Sequence, residues 1–519
     1  MLRSALAAAT LASLLASLAS LVACAKLPEG VERPVSRALA DTRDTRIGRA
    51  LAREVAAHPG RSGVLPLGNG RDAFAARALL AEAAERSLDV QYYIWRDDTS
   101  GTLLTDALWR AAERGVRVRL LLDDANTRGL DALIAALDAH RNIEVRLFNP
   151  FANRALRVGD LADFSRVNRR MHNKSFIVDN QVAVLGGRNV GDEYFGAQTE
   201  VAFADLDLLL AGSAVREVSA QFDAYWNSAS AYPAASLFPP ASQSDAERQR
   251  AEWKRASAGP SAVRYLHALG ATPLVKELLG GRLPLQWVPA HVVTDDPDKV
   301  LHPPGRRDLH MLPRLEQALG KPEKQLDLVS PYFVPTAEGT AALRALAERG
   351  VEVRVLTNSL SATDVSPVYA GYAKYREPLL RAGVRLYELK PSARPPAESE
   401  EERRRLGGSF GASLHAKTFA VDRARIFVGS FNFDPRSARL NTEIGVVVES
   451  PELAGRLSTL FGGGLGGEAY ELRLTPAGEI EWIERTAAGE VRHATTPGTG
   501  VLRRLWVGFL AMLPIEWLL

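Results

Sequence analysis

His172-Asn173-Lys174 with Asp179, and His415-Ala416-Lys417 with Asp422, repeat one pattern, H-x-K-x-x-x-x-D, in the two halves of a 519-residue chain. Each copy runs on into a glycine-containing turn that ends in asparagine: Gly186-Gly187-Arg188-Asn189 in the first, Gly429-Ser430-Phe431-Asn432 in the second. Such a set offers one small anion an imidazole as nucleophile or acid, a cation and an uncharged donor, twice over. That combination suits the cleavage and re-formation of a phosphodiester. A single copy arises by chance in roughly one or two chains per hundred of this composition. Two copies with matched tails are far rarer, which sets aside the reading of His172 and His415 as ordinary buried strand histidines.

The repeat extends beyond the motif. Leu88-Asp89-Val90-Gln91-Tyr92-Tyr93-Ile94 is echoed from Leu326 to Val334, and Arg114-Gly115-Val116-Arg117-Val118 in Arg349-Gly350-Val351-Glu352-Val353. Val145-Arg146-Leu147-Phe148 is echoed in Val384-Arg385-Leu386-Tyr387. Leu88 and Leu326 are 238 positions apart, Arg114 and Arg349 are 235, Val145 and Val384 are 239, and His172 and His415 are 243. A near-constant offset over four blocks marks a duplicated domain.

Apolar alternation in 88–95, helical spacing in 103–113, a strand in 116–122, a helix in 130–139 and a strand in 144–148 predict an α/β class with mixed, largely parallel sheets. Each motif is expected to open a hairpin, with turns at Asp179 and Asp422. The organisation reads as a lipoprotein-type signal peptide over 1–23, a linker over 24–65 containing a possible first helix, a first lobe over 66–227 and a bridging insertion over 228–310. A second lobe over 311–455 and a C-terminal appendage with an apolar tail over 456–519 follow. Residues 245–254 are expected to be helical. Residues 391–408, with Pro395-Pro396 and charged 398–405, read as a solvated loop or a lid before the second motif.

Composition is that of an ordinary globular protein, 46% hydrophobic and 24% charged, with a net charge of +3. The near-balanced charge argues against a dedicated nucleic-acid binder, and no nucleic-acid partner is expected. The single cysteine rules out an internal disulfide framework. It is Cys24, preceded by Arg3, an Ala/Leu/Ser run and Leu21-Val22-Ala23. That resembles a bacterial lipoprotein processing box, which implies cleavage before Cys24 and lipid attachment to it; the alternative is an uncleaved anchor. Both place the chain in the cell envelope, on a membrane, outside the cytoplasm. The apolar tail 502–519 is too short and interrupted to span a bilayer. It suits either an interfacial segment or packing against the body.

In the chemistry, Lys174 and Lys417 are expected to neutralise nonbridging phosphate oxygens, with Asn189, Asn432 and Ser430 in support. Each histidine needs a partner that sets its tautomer. Glu443 lies eleven residues after Asn432, and aligning 443–446 with 205–208 makes Asp205 its counterpart. Glu200, eleven residues after Asn189, is the rival. Asp179 and Asp422 are counted with the catalytic set as supports at strand ends, although Asp also favours turns. No His/Cys/Asp cluster has metal-ligand spacing, so neither metal nor cofactor is expected.

These residues resemble the phospholipase D superfamily and, within it, the bacterial cardiolipin synthases of the C-type branch. The blocks that carry the likeness include 88–95, 168–176, 191–196, 332–336, 413–419, 429–437 and the closing Glu516-Trp517-Leu518-Leu519. The resemblance implies two α/β lobes related by a pseudo-two-fold axis and sharing one active site. It implies a phosphatidyl-histidine intermediate and transfer to a hydroxyl of phosphatidylglycerol, with phosphatidylethanolamine or phosphatidylglycerol as donor. His172 is taken as nucleophile and His415 as general acid; pseudo-symmetry permits the reverse. The alternative activity is phospholipase D-type hydrolysis. A protein partner is possible. Gly187 stands where the second half has Ser430, so the halves are not equivalent.

Overall fold

The computed structural model describes residues 26–154, 157, 160, 163–197, 203–280, 282–391 and 413–519. Cys24, Glu200 and residues 392–408 of the loop before the second motif lie outside the described residues.

The first half contributes β1 (Ser62–Leu67), β2 (Ser87–Tyr92), β3 (Arg117–Asp123), β4 (Ile143–Phe148), β5 (Ser175–Val178), β6 (Val182–Gly186), β7 (Phe203–Ala204), β8 (Asp207–Gly212), β9 (Ala231–Pro233) and β10 (Gln286–Val288). The second contributes β11 (Ala290–Thr294), β12 (Gln325–Val329), β13 (Glu352–Asn358), β14 (Arg385–Leu389), β15 (Ser413–Leu414), β16 (Thr418–Val421), β17 (Arg425–Gly429), β18 (Ile444–Glu449), β19 (Ala469–Leu474), β20 (Ile480–Thr486) and β21 (Gly489–His493). Among the described residues these form a nine-stranded sheet, β10-β1-β8-β6-β5-β2-β3-β4-β9, a ten-stranded sheet, β11-β18-β17-β16-β12-β13-β14-β19-β20-β21, and a two-stranded sheet, β15-β7. The runs β8-β6-β5-β2-β3-β4 and β18-β17-β16-β12-β13-β14 are the same topology twice, which is the duplication in three dimensions.

Within the two large sheets, parallel pairing is confined to β2-β3-β4 and β12-β13-β14, where helices supply the crossovers. The expectation of a largely parallel sheet therefore holds for the centre of each lobe. The flanks are antiparallel, because short hairpins join β5 to β6 and β16 to β17. The turn residues Asp179 and Asn180 have φ of 50° and 51°, and Asp422 and Arg423 each have φ of 53°. Positive φ at both central residues matches the twist of the flanking strands.

Strand periodicity of two decides how the lobes meet. Phe176, Val178, Val182 and Val184 enter the outer core of the first lobe, as Phe419, Val421 and Phe427 enter that of the second. Their alternates Ile177, Ala183 and Leu185 meet Ala420, Ile426 and Val428 in one core between the lobes. Both faces of each hairpin are thus buried, and the two sheets are held face to face.

Three stretches are placed differently from the sequence reading. The strand β1, partly inside the segment read as linker, lies between β10 and β8. The bridging segment supplies β10 to one sheet and β11 to the other, and its helix Gln243–Ser257 packs on the first lobe through the buried Trp253 against Trp109. The appendage strands β19 to β21 extend the second sheet from β14.

Candidate active site

Each motif histidine is fixed by the backbone of the opposite lobe. His172 N–H donates to Thr442 O at 2.8 Å, and Thr442 N–H returns a bond to Arg170 O at 2.9 Å. In the second copy, β15 pairs in parallel with β7, and His415 N–H donates to Ala204 O at 2.8 Å. Thr442 and Ala204 are the residues immediately before Glu443 and Asp205, so each pairing delivers a carboxylate to the histidine across the interface. His172 Nδ1 lies 2.9 Å from Glu443 Oε2, and His415 Nδ1 lies 2.5 Å from Asp205 Oδ2. The structure therefore brings Asp205 and Glu443 to the histidines, and it does so crosswise.

An Nδ1–H donated to a carboxylate leaves Nε2 with its lone pair. Burial pushes the His172 imidazole down to about 4, against the pull of Glu443 and with the push of Lys174. Burial pushes His415 down to about 3, with Lys417 adding to the fall and Asp205 opposing it. Both rings are neutral at pH 7. Glu443 and Asp205 are held below the usual carboxylate range; burial works the other way, but the histidines and lysines facing them outweigh it.

Lys174 and Lys417 are buried, and each ammonium donates to the carbonyl of its own histidine two residues back. Lys417 Nζ also sits 3.1 Å from His415 Nδ1. Burial lowers Lys174 well below its ordinary value, and lowers Lys417 to about 8. Each lysine bears electrostatically on the histidine of the other lobe as well as on its own, so the four groups form one site. Two desolvated cations beside two neutral imidazoles make a pocket whose charge an anionic phosphodiester would complete. Tyr93 meets the His172 ring edge-on at 5.0 Å, and Tyr194 meets the His415 ring at 5.2 Å.

The two halves differ where the sequences differ. Ser430 Oγ donates to Glu443 Oε2. At Gly187 the equivalent space is filled by the Asp205 carboxylate, with which any Cβ there would collide. The amides differ too. Asn189 is committed, accepting Ile94 N–H at 3.2 Å and donating to Tyr194 Oη at 3.0 Å. Asn432 Oδ1 is buried and has no hydrogen-bond partner among the described residues.

Asp179 and Asp422 do not join the site, which corrects their place in the catalytic set. Each sits past the far end of its strand, about 16 Å of extended chain from the lysine. Asp179 accepts the backbone N–H groups of Glu85, Arg86 and Ser87 at 3.0, 2.8 and 2.8 Å. Asp422 likewise accepts those of Glu323, Lys324 and Gln325. They tie the hairpin turn to the start of β2 or β12, and so fix the strand that aims the histidine and lysine.

Asp295 is a site residue that the sequence reading missed. Its Oδ2 accepts Glu443 N–H at 2.8 Å, and its Oδ1 accepts from Lys299 Nζ at 2.9 Å and Met311 N–H at 2.6 Å. The acidic pair Asp295-Asp296 just after an apolar run was the available signal, but the whole segment read as a bridge.

A family model described as the phospholipase D-like domain of cardiolipin synthase matches residues 77–226 and 315–463, one match per lobe. The chain belongs to this family of phospholipase D-type phosphatidyltransferases. It is 47% identical over 479 residues to cardiolipin synthase C of Escherichia coli K12, covering 91% of this chain and 100% of that one. It is 28% identical over 397 residues to cardiolipin synthase A of Pseudomonas aeruginosa, covering 76% and 65%. Among solved structures, phosphatidylserine synthase of Haemophilus influenzae shares the fold with a TM-score of 0.53 at 14% identity, over 82% of this chain and 92% of that one.

Proposed function

We propose that this phosphatidyltransferase joins two phospholipids into cardiolipin through a phosphatidyl-histidine. The observation that carries the reading is the pair of buried, neutral imidazoles whose Nδ1 atoms are each tied to a carboxylate from the opposite lobe.

In the first step His172 Nε2 attacks phosphorus while the P–O bond to the donor headgroup breaks. The leaving oxygen takes a proton from His415 Nε2. His415 must therefore be charged in the complex, and a bound phosphate anion together with Asp205 favours that charge against burial. In the second step His415 Nε2 takes the proton of a phosphatidylglycerol hydroxyl. The alkoxide attacks phosphorus, the P–N bond breaks, and His172 is restored. Lys174, Lys417 and the Asn432 amide hold the nonbridging oxygens. The donor is phosphatidylethanolamine, which releases ethanolamine, or a second phosphatidylglycerol, which releases glycerol.

The likeness to cardiolipin synthase C supports this choice of product. The signal-like N-terminus supports cleavage before Cys24, lipid attachment there, and action at the periplasmic face of a membrane. Membranes holding the chain, supplied with labelled phosphatidylglycerol with and without phosphatidylethanolamine, should yield labelled cardiolipin. Phosphatidic acid as the sole product would overturn the reading in favour of hydrolysis.

A further inference from the structure

The last helix, Val501–Met512, is apolar on both sides. Val507 and Leu510 face inward and join the second-lobe core. Leu502, Leu505, Trp506, Phe509 and Met512 line the opposite side at spacings of three and four residues, with Leu502 83% and Met512 76% exposed. A contiguous apolar face of this kind marks a docking surface.

Charge and placement say what docks there. Arg503 and Arg504 flank the face, and neither forms an ion pair among the described residues; each donates only to a backbone carbonyl, Arg503 to Thr363 O and Arg504 to Thr499 O. The chain that follows is fastened to the wall of the active site. Arg436 donates to Leu518 O at 2.7 Å and, through the same guanidinium, to Asn168 O at 3.0 Å and Asn168 Oδ1 at 2.8 Å. Asn168 lies four residues before His172, and Arg436 four after Asn432. Glu516 is held by Lys374 and Tyr375 at 2.9 and 2.8 Å, and the exposed Trp517 meets Phe164 of the first lobe at 6.4 Å. The apolar face is thus a rigid extension of the site, rimmed by unpaired cations and carrying two exposed tryptophans, residues that favour a membrane–water boundary. At twelve residues the helix is about 18 Å long, too short to span a bilayer. No helix among the described residues is long and apolar enough to cross a membrane.

We infer that the exposed face of Val501–Met512, with Trp517, inserts into the surface of an anionic phospholipid bilayer and sets the mouth of the active site against it. This contact is separate from any lipid on Cys24, and its catalytic purpose rests on the proposed phosphatidyl transfer. The test reconstitutes the full chain into vesicles of equal parts phosphatidylglycerol and phosphatidylethanolamine, with and without brominated acyl chains. The fluorescence difference between the native chain and Trp506→Phe isolates Trp506, which should be quenched by bromine. Leu505→Ser with Phe509→Ser should lose this quenching. That double variant should also lose about tenfold in transfer on vesicles while keeping its rate on monomeric short-chain phosphatidylglycerol with phosphatidylethanolamine. An unquenched Trp506 overturns the inference, as does a concentration-dependent dimer that the double variant abolishes without any quenching. Quenching with no transfer on either substrate would instead defeat the functional reading and leave the docking intact.

Discussion

His172 and Glu443 are 271 residues apart in sequence and 2.9 Å apart in space, and they come from different lobes. The imidazole tautomer of one half of the duplication is set by the other half. Glu443→Gln keeps the shape but offers an amide N–H to Nδ1, which favours the tautomer protonated at Nε2. The turnover number should fall about a thousandfold or more, with the fold retained by circular dichroism. Activity within a few-fold of the native chain would refute the orienting role.

The Gly187/Ser430 difference gives unequal outcomes for small changes. Gly187→Ala drives a methyl into the Asp205 carboxylate and displaces it from His415, with an expected loss of about a hundredfold. Ser430→Ala removes one hydroxyl from Glu443, and the loss should be nearer tenfold. Steady-state rates of the two purified variants, compared at equal folded fraction, decide the order.

Asp179 is predicted to matter for stability rather than for chemistry. Asp179→Ala strands three backbone N–H groups, two on exposed Glu85 and Arg86 and one on buried Ser87, at about 1–3 kcal/mol for a fully buried donor. Denaturant unfolding should show a loss of about 1–3 kcal/mol. The rate per folded molecule should stay within about threefold, since no step in the mechanism uses this carboxylate.

Asp295 should behave as a buried charge partner. Asp295→Ala leaves the Lys299 ammonium buried and unpaired and frees the Glu443 backbone, at about 3–5 kcal/mol. Replacing both, with Asp295→Asn and Lys299→Met, should recover much of that stability in the same unfolding experiment. No recovery would show that the cost lies elsewhere.

The dependence of kcat on pH, read in the complex where His415 carries its proton, should be a bell. The acid limb falls near pH 4, where the His172 nucleophile becomes protonated. The alkaline limb falls near pH 8, as Lys417 loses the charge that meets phosphate. Lys417→Arg should move the alkaline limb upward. Stability has the opposite sign at this group. The unfolded lysine keeps its ordinary value of 10.5 and binds more protons than the folded one between about 8 and 10.5, so the contribution of Lys417 to stability rises with pH across that window. An alkaline limb unmoved by Lys417→Arg would contradict the assignment.

The duplicated lobes, the hairpins at Asp179 and Asp422, and the pairing of carboxylates at 205 and 443 with histidines were legible, because each appears twice with matched neighbours. The crossing of the carboxylates was not. Periodicity places Glu443 just before a strand but is silent on the bonds between Thr442 and Arg170 that carry it to His172. Asp179 and Asp422 misled because aspartate in a turn and aspartate in a site look alike in sequence; only the backbone donors around them separate the two. Asp295 was hidden because its partners, Glu443 N–H and Lys299, are brought together by tertiary contact alone. The short strands β1 and β10 were missed because pairing with neighbours, rather than a long apolar run, makes them strands.

Rapid acid quench of the native chain turning over phospholipid labelled at phosphorus tests the account most directly. It predicts covalent label on the peptide carrying His172, lost in His172→Ala, with no label at His415. Label on the His415 peptide, or undiminished transfer by His172→Ala, would contradict it.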